Sequence, residues 1–171
     1  FNALEKELGE LPFIAEDLGI ITDDVRELLS ETGFPGMAVF VFGLSKSEDN
    51  MYLPHNLGRG TIAYPSTHDS ETFKQWVLDV LGDDDRKFAI NYVGAKENPE
   101  KIGLYAIRSM MASPAGLVIS PIQDVLSLGR EGRMNIPGTA CGNWEWKVRA
   151  DDLTDTLAGE LREMTETYKR C

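Results

Sequence analysis

Cysteine is scarce in this sequence: there are two, Cys141 and Cys171. Cys171 is the last residue and is expected to fray, so the two make no disulfide framework. A stapled secreted mini-domain is excluded, and a reducing compartment is indicated: the cytoplasm, or the plastid in a plant. Positive charge is also short, with 17 Lys and Arg against 28 Asp and Glu, a formal charge of -11. Such a chain has no electrostatic reason to bind nucleic acid or an anionic membrane surface, whereas a neutral substrate such as a sugar is indifferent to that field. Uninterrupted apolar runs long enough for a bilayer are missing, and no signal peptide is visible. The only histidines, His55 and His68, form no helical pair and have no Cys partner, so no metal and no cofactor is expected. GREGR lacks the Lys-Ser/Thr ending of a phosphate-binding loop, and nothing resembles a Ser or Cys nucleophile elbow.

What is present is enough for one domain with a real core: 171 residues, 42% of them hydrophobic. The chain opens on Phe1, and FNALEKEL reads as the end of a helix, so a piece of a longer protein is expected. Strand and helix signals then alternate. PFIA (12–15) is a short apolar strand candidate. TDDVRELLSETG has Thr22 as N-cap, acids in the first turn and Gly33 as terminator. GMAVFVF (36–42) suits a strand covered on both faces. SKSEDNMYLPHNLGRG (45–60) is a polar loop longer than a plain connection needs. TIAY begins a third strand, and SETFKQWVLDVLG sets Phe73, Trp76, Val77, Val80 and Leu81 on one helical face. Helices follow over DDDRKFAINYV and NPEKIGLYAIRSMMAS, the latter capped by Asn98 with Pro99 in its first turn. AGLVISPIQDVLSLG reads as a fourth strand and a short helix. A Gly-rich loop comes next, and then an amphipathic helix over 152–171 with Leu153, Leu157, Leu161, Met164 and Tyr168 at roughly fourfold spacing.

Alternating units of this kind imply an α/β fold with a parallel sheet covered by helices. Polar residues close three of the strands, in EDLG, STHD and SPIQD. In parallel α/β folds sites sit at the carboxyl ends of strands, so Glu16, Asp17, His68, Asp69, Gln123 and Asp124 are candidates for one rim. Two carboxylates on a rim suit glycoside chemistry, where one acid protonates the leaving oxygen and anions stabilise an oxocarbenium-like centre. The competing reading is that Glu16, Asp17 and Asp69 are helix N-caps. A His beside a site acid can hold a sugar hydroxyl or the carboxylate itself. Trp76 and the Met110–Met111 pair fall on core faces. Trp144 and Trp146, in GNWEW, either stack on a sugar or cover one end of the fold.

FIAEDLGIIT, GFPGM, YLPHN, STHDSET, SPIQDVLSLG and RMNIPGTACGNWEW stand here in the order they have in 4-α-glucanotransferases, and residues 12–149 resemble that family, the amylomaltases or disproportionating enzymes of glycoside hydrolase family 77. The resemblance implies a retaining, metal-independent transfer of α-1,4-glucan segments between maltooligosaccharides, on a (β/α)8 barrel of the TIM type. The visible strands correspond to about the fifth to eighth, so residues 1–171 would form one partial catalytic domain, a C-terminal half-barrel. By that resemblance Glu16 is the general acid/base, Asp69 the transition-state stabiliser, and His68 a substrate-binding neighbour. His55, Asn56 and Asn135 are implied sugar contacts, and Asp17 is a companion of Glu16 or the cap of the next helix. A strand-end Glu16 must be protonated to donate to the leaving oxygen and ionised to activate the acceptor, which accounts for an acid at the mouth of an apolar strand.

The departures are specific. The family's nucleophile is an Asp in an Arg-x-Asp-His type motif, which this sequence lacks. The usual THDND reads THDSE, and Ala38 and Val41 stand where a Lys and a Gln are common after GFPGM. The chain by itself is therefore expected to be inactive and, with open strand edges, to self-associate. The alternatives are a non-catalytic glucan-binding module and an α-amylase-type hydrolase with water as acceptor.

Overall fold

The computed structural model describes residues 1–45 and 50–170. Residues 46–49 of the expected polar loop, and Cys171, lie outside the described residues.

The sheet has three parallel strands in the order β1-β2-β3: β1 Gly36–Val39, β2 Thr61–Tyr64 and β3 Leu117–Val118. Gly36 pairs with Thr61 and Val39 with Tyr64, while Ile62 pairs with Leu117. Where β1 was expected to run on to Phe42, it stops at Val39 and the backbone coils into a 3-10 turn over Phe40–Gly43. The reason lies across the ladder. The residue after Tyr64 is Pro65, which has no N–H to give, and it only accepts a bond from the Val41 amide at 3.2 Å. Phe40 then turns into the core, its ring 5.1 Å from that of Phe73.

The strand expected at 12–15 does not form, so among the described residues there are three strands and not four. That segment does run beside β1. Ala15 N–H bonds to Pro35 O at 2.9 Å. The next amide, of Met37, bonds instead to Asp17 Oδ1 at 2.6 Å. A side-chain carboxylate has taken the N–H that a neighbouring strand would have used, and the ladder ends after one bond. Gly36 makes this possible, since a Cβ there would collide with the Asp17 carboxylate.

The helices are α1 Asn2–Leu8, α2 Asp23–Thr32, α3 Phe73–Gln75, α4 Asp83–Val93, α5 Ile102–Met111, α6 Ile122–Val125 and α7 Asp155–Thr167. α2 has its expected ends, Thr22 at the N-cap and Gly33 left-handed at the C-cap, although the Thr22 side chain bonds Asp24 and not the helix backbone. α3 passes into a π-helical turn over Trp76–Val80. Phe73 and Val77 are fully buried there, but Val80 faces solvent, so the expected apolar face is narrower. Asn98 makes no side-chain cap; a 3-10 turn over Pro99–Lys101 leads into α5 instead. α7 starts later than 152, with Thr154 Oγ1 accepting from Leu157 N–H at 3.2 Å.

The crossover from β2 to β3 runs through α3, α4 and α5, and these cover the sheet with a core of Val39, Phe40, Phe73, Val77, Ala106 and Met110. A second cluster joins Leu104, Ile107 and Val125 to Leu157, Leu161 and Met164 of α7. Leu153 stays exposed. Ala38 and Val41 are buried in the main core, where a Lys or Gln would lose its water.

Candidate functional site

The carboxyl end of the sheet opens into a cavity of ≈ 530 Å³. Glu16, His68, Asp69, Gln123, Arg133 and Trp144 are on its wall, with apolar surface from Ile14 and Ile119. Each polar group arrives from a different element. Glu16 comes from the strip beside β1, His68 and Asp69 from the loop after β2, Gln123 from the start of α6, and Arg133 and Trp144 from the loop before α7. Neither Glu16, Asp17 nor Asp69 is a helix cap: Thr22 holds the cap of α2, and Thr72 that of α3, accepting from Gln75 N–H at 3.2 Å.

The Asp69 carboxylate is embedded in a small polar cluster. Asn135 Nδ2 donates to Asp69 Oδ1 at 2.7 Å, and His68 Nε2 lies 3.3 Å from the same oxygen. The backbone repeats the link, with Asn135 N–H bonded to His68 O at 3.1 Å. The Trp144 ring lies 5.2 Å from the His68 ring, tilted by 38°. Trp144 holds a left-handed φ of 63°, with its amide bonded to Met134 O at 2.8 Å. The side chain is thus carried out over the cavity, 61% exposed. Asp69 and His68 are about half exposed, which leaves their free edges open to a ligand.

Further residues brace this cluster from below and from the side. Glu71, one of the two residues that depart from the THDND pattern, pairs with Arg133, whose Nε also donates to Asn135 O at 3.1 Å. Ser66 Oγ donates to Asp124 Oδ2 at 2.5 Å, and Phe73 N–H to Asp124 Oδ1 at 2.8 Å. Asp124 was a candidate for the rim itself, but it is wholly buried beneath it. Burial pushes its carboxyl up to about 6, against the pull of the Ser66 and Phe73 hydrogen bonds. An acid inside the short apolar helix IQDV was the one sequence signal for this, since a buried acid there must have partners.

Asp17, His55 and Asn56 are elsewhere. Asp17 braces the edge of β1 through Met37. His55 Nδ1 is 2.7 Å from Tyr92 Oη, on the helical side. Asn56 lines a separate cavity at the amino ends of β1 and β2, with Gly36 and Thr61, and donates to Asn50 O at 2.9 Å.

The glycoside hydrolase family 77 model, described as 4-alpha-glucanotransferase, matches residues 1–154. The chain belongs to the 4-alpha-glucanotransferase family. The 4-alpha-glucanotransferase of Synechocystis is 45% identical over 172 residues, spanning 99% of this chain and 34% of that protein. The potato relative, named 4-alpha-glucanotransferase, chloroplastic/amyloplastic, is 38% identical over 99% of this chain and 30% of its own length. The amylomaltase of Streptococcus agalactiae in complex with acarbose superposes with a TM-score of 0.92 at 37% identity, over 98% of this chain and 34% of that one. This chain therefore spans about a third of the length of the 4-alpha-glucanotransferases it matches. Among its described residues no helix is long and apolar enough to cross a membrane.

Proposed function

We propose that this chain supplies the acid/base and the stabilising carboxylate of a retaining 4-α-glucanotransferase, which cuts an α-1,4-glucan and passes the piece to another maltooligosaccharide. The observation that carries this is the meeting of Glu16 and Asp69 on one cavity wall, in a chain that belongs to the family. Glu16 gives its proton to the leaving oxygen and takes one from the incoming hydroxyl. Asp69, fixed by Asn135 and His68, presents its remaining acceptor capacity to the sugar and its charge to the developing oxocarbenium centre. His68 and Trp144 offer a donor and a ring face to the same sugar. The acarbose held by the Streptococcus agalactiae amylomaltase supports a glucan-like occupant.

In this reading β1, β2 and β3, with the strip 12–17 alongside, are part of the C-terminal half of a (β/α)8 barrel, and residues 1–171 are one partial catalytic domain. Asp17 serves Glu16 indirectly, by pinning the strip to β1. His55 and Asn56 bind sugar only at a distance from the Glu16–Asp69 cavity, or not at all. The exposed thiol of Cys141 suits a reducing compartment. The nucleophile is not supplied by this chain, so the chain alone does not turn over. The test is Glu16→Gln in the full-length enzyme that carries this chain. Transfer between maltooligosaccharides should fall by about 10²–10⁴-fold while binding survives; near wild-type turnover on a substrate with an ordinary sugar leaving group would refute the assignment.

A further inference from the structure

We infer that Asp124 is the positioning residue of the loop that carries His68 and Asp69, acting on Ser66 at one end of that loop and on the Phe73 amide at the other. The inference rests on the sugar-site reading of that loop.

One carboxylate holds both ends. Ser66 follows the end of β2 by two residues, and Phe73 opens α3. The Asp124 Oδ2–Ser66 bond is 2.5 Å long, and the Oδ1–Phe73 bond 2.8 Å. Between these points the loop has local ties, Thr67 N–H to Ser70 Oγ at 3.0 Å and Asp69 N–H to Thr67 Oγ1 at 3.3 Å, and its outer side meets Asn135 and Arg133 of the loop before α7. Release of either end would leave His68 and Asp69 held only by Thr72 and by the loop before α7, whose Asn135 and Arg133 bonds do not fix the base of the loop against the core. The carboxylate itself cannot drift. The Asp124 backbone sits against Gly103 of α5, where any Cβ would strike its carbonyl. Leu104 N–H bonds Ser127 Oγ at 3.3 Å, and Thr72 Oγ1 bonds Leu128 O at 2.8 Å, so α5, α6 and α3 are knitted at the same point.

A tie needed for folding alone does not require a charge. A buried carboxylate carries a desolvation penalty that a neutral group of the same shape avoids. An ionised acceptor gives shorter and stiffer hydrogen bonds than an amide, and stiffness is what a stabilising carboxylate needs, because a misplacement of about 1 Å can cost about 10²-fold in rate.

The experiment uses the full-length enzyme with Ser66→Ala, which removes one tether and leaves the Phe73 acceptor, and with Asp124→Asn, which keeps the shape. For each we would measure kcat and KM for maltotriose disproportionation, the melting temperature, and the affinity for acarbose, each also in an Asp69→Asn background. The expected result is a kcat lowered at least about tenfold with KM within about twofold, and an acarbose affinity that falls no further once Asp69 is already Asn. A lowered melting temperature with wild-type kcat would reduce Asp124 to a structural tie and overturn the inference, as would losses that multiply with Asp69→Asn. Should Asp124→Asn not fold, Ser66→Ala decides alone. Should Asp69→Asn itself leave turnover intact, the site reading falls and this inference with it; if Asp69→Asn cripples turnover and Ser66→Ala does not, the inference alone fails.

Discussion

Two stretches bring carboxylates to the cavity, residues 12–17 and residues 66–73, and they are held in different ways. From Phe1 to Met37 no residue is buried, and α1 and α2 contribute nothing to the core. The strip with Glu16 is attached through the Ala15–Pro35 bond, the Asp17–Met37 bond and the Phe34 ring, which meets the edges of Phe1 and Phe13. Phe13 and Ile14 remain 43% and 45% exposed. The loop with Asp69 starts at a buried Ser66 and ends at buried Thr72 and Phe73, both ends fastened to Asp124 or to the turn that follows its helix. One half of the candidate site is supported by this chain's own core. The other leaves its apolar side chains in part open to solvent.

The weakly held strip should not suffice for catalysis. The chain by itself should release no glucose from maltotriose, because a retaining mechanism needs a second carboxylate about 5 Å from the acid/base. Light scattering on the same sample should show self-association through the open edges. Robust disproportionation by the chain alone would mean that it holds a nucleophile. Next in size is Asp69→Asn in the full-length enzyme, expected to lower kcat by about 10²–10³-fold and to weaken a transition-state-like inhibitor more than a linear substrate. Equal weakening of both would make Asp69 an ordinary ground-state binder. Hydrogen exchange sharpens the contrast directly. Amides of residues 12–35 should exchange at least about 10²-fold faster than those of Phe73 and Val77, since local opening there breaks few buried contacts. Similar protection in both would show the strip to be held by contacts not recognised.

A smaller effect follows from Asp124. Its folded carboxyl is raised to about 6 from 3.8, so the folded state binds that proton more tightly than the unfolded chain. Stability from this group is therefore greatest at low pH and falls as pH rises through about 4 to 6, with no further change above. Melting temperatures of wild type and Asp124→Asn should diverge by several degrees across that window and run parallel beyond it; parallel curves throughout would mean that Asp124 does not titrate there. Smallest is Trp144→Ala. An exposed ring adds little to stability, so the melting temperature should hold while acarbose binding weakens by about 2–10-fold, the worth of one stacked ring. Unchanged binding would assign Trp144 to covering the loop.

Much of this was legible because it is local. Thr22, the acids of the first turn and Gly33 bound α2 by rules that operate within a few residues, and the alternation of short apolar runs with amphipathic stretches announced a parallel α/β arrangement. Ordered motifs were enough to mark the family. Residues 12–15 have the pattern of a strand, and only the Asp17–Met37 bond, between residues far apart in sequence, stops the ladder. The apolar run 36–42 likewise exceeds β1, because the limit is set by Pro65, just past the end of the neighbouring strand.

Local sequence sets the chemistry available: which acids stand near strand ends, which aromatic residues follow the Gly-rich loop, and that no Arg-x-Asp-His type motif is present. Tertiary structure decided which of these groups meet. It drew Asn135 and Trp144 onto His68 and Asp69, sent His55 to Tyr92 and Asn56 to the other end of the strands, and buried Asp124 under the rim it was expected to line. A residue's type fixes what it can donate or accept. Where it points depends on crossovers and loop closures among residues dozens of positions apart, and these are set by packing of the whole core.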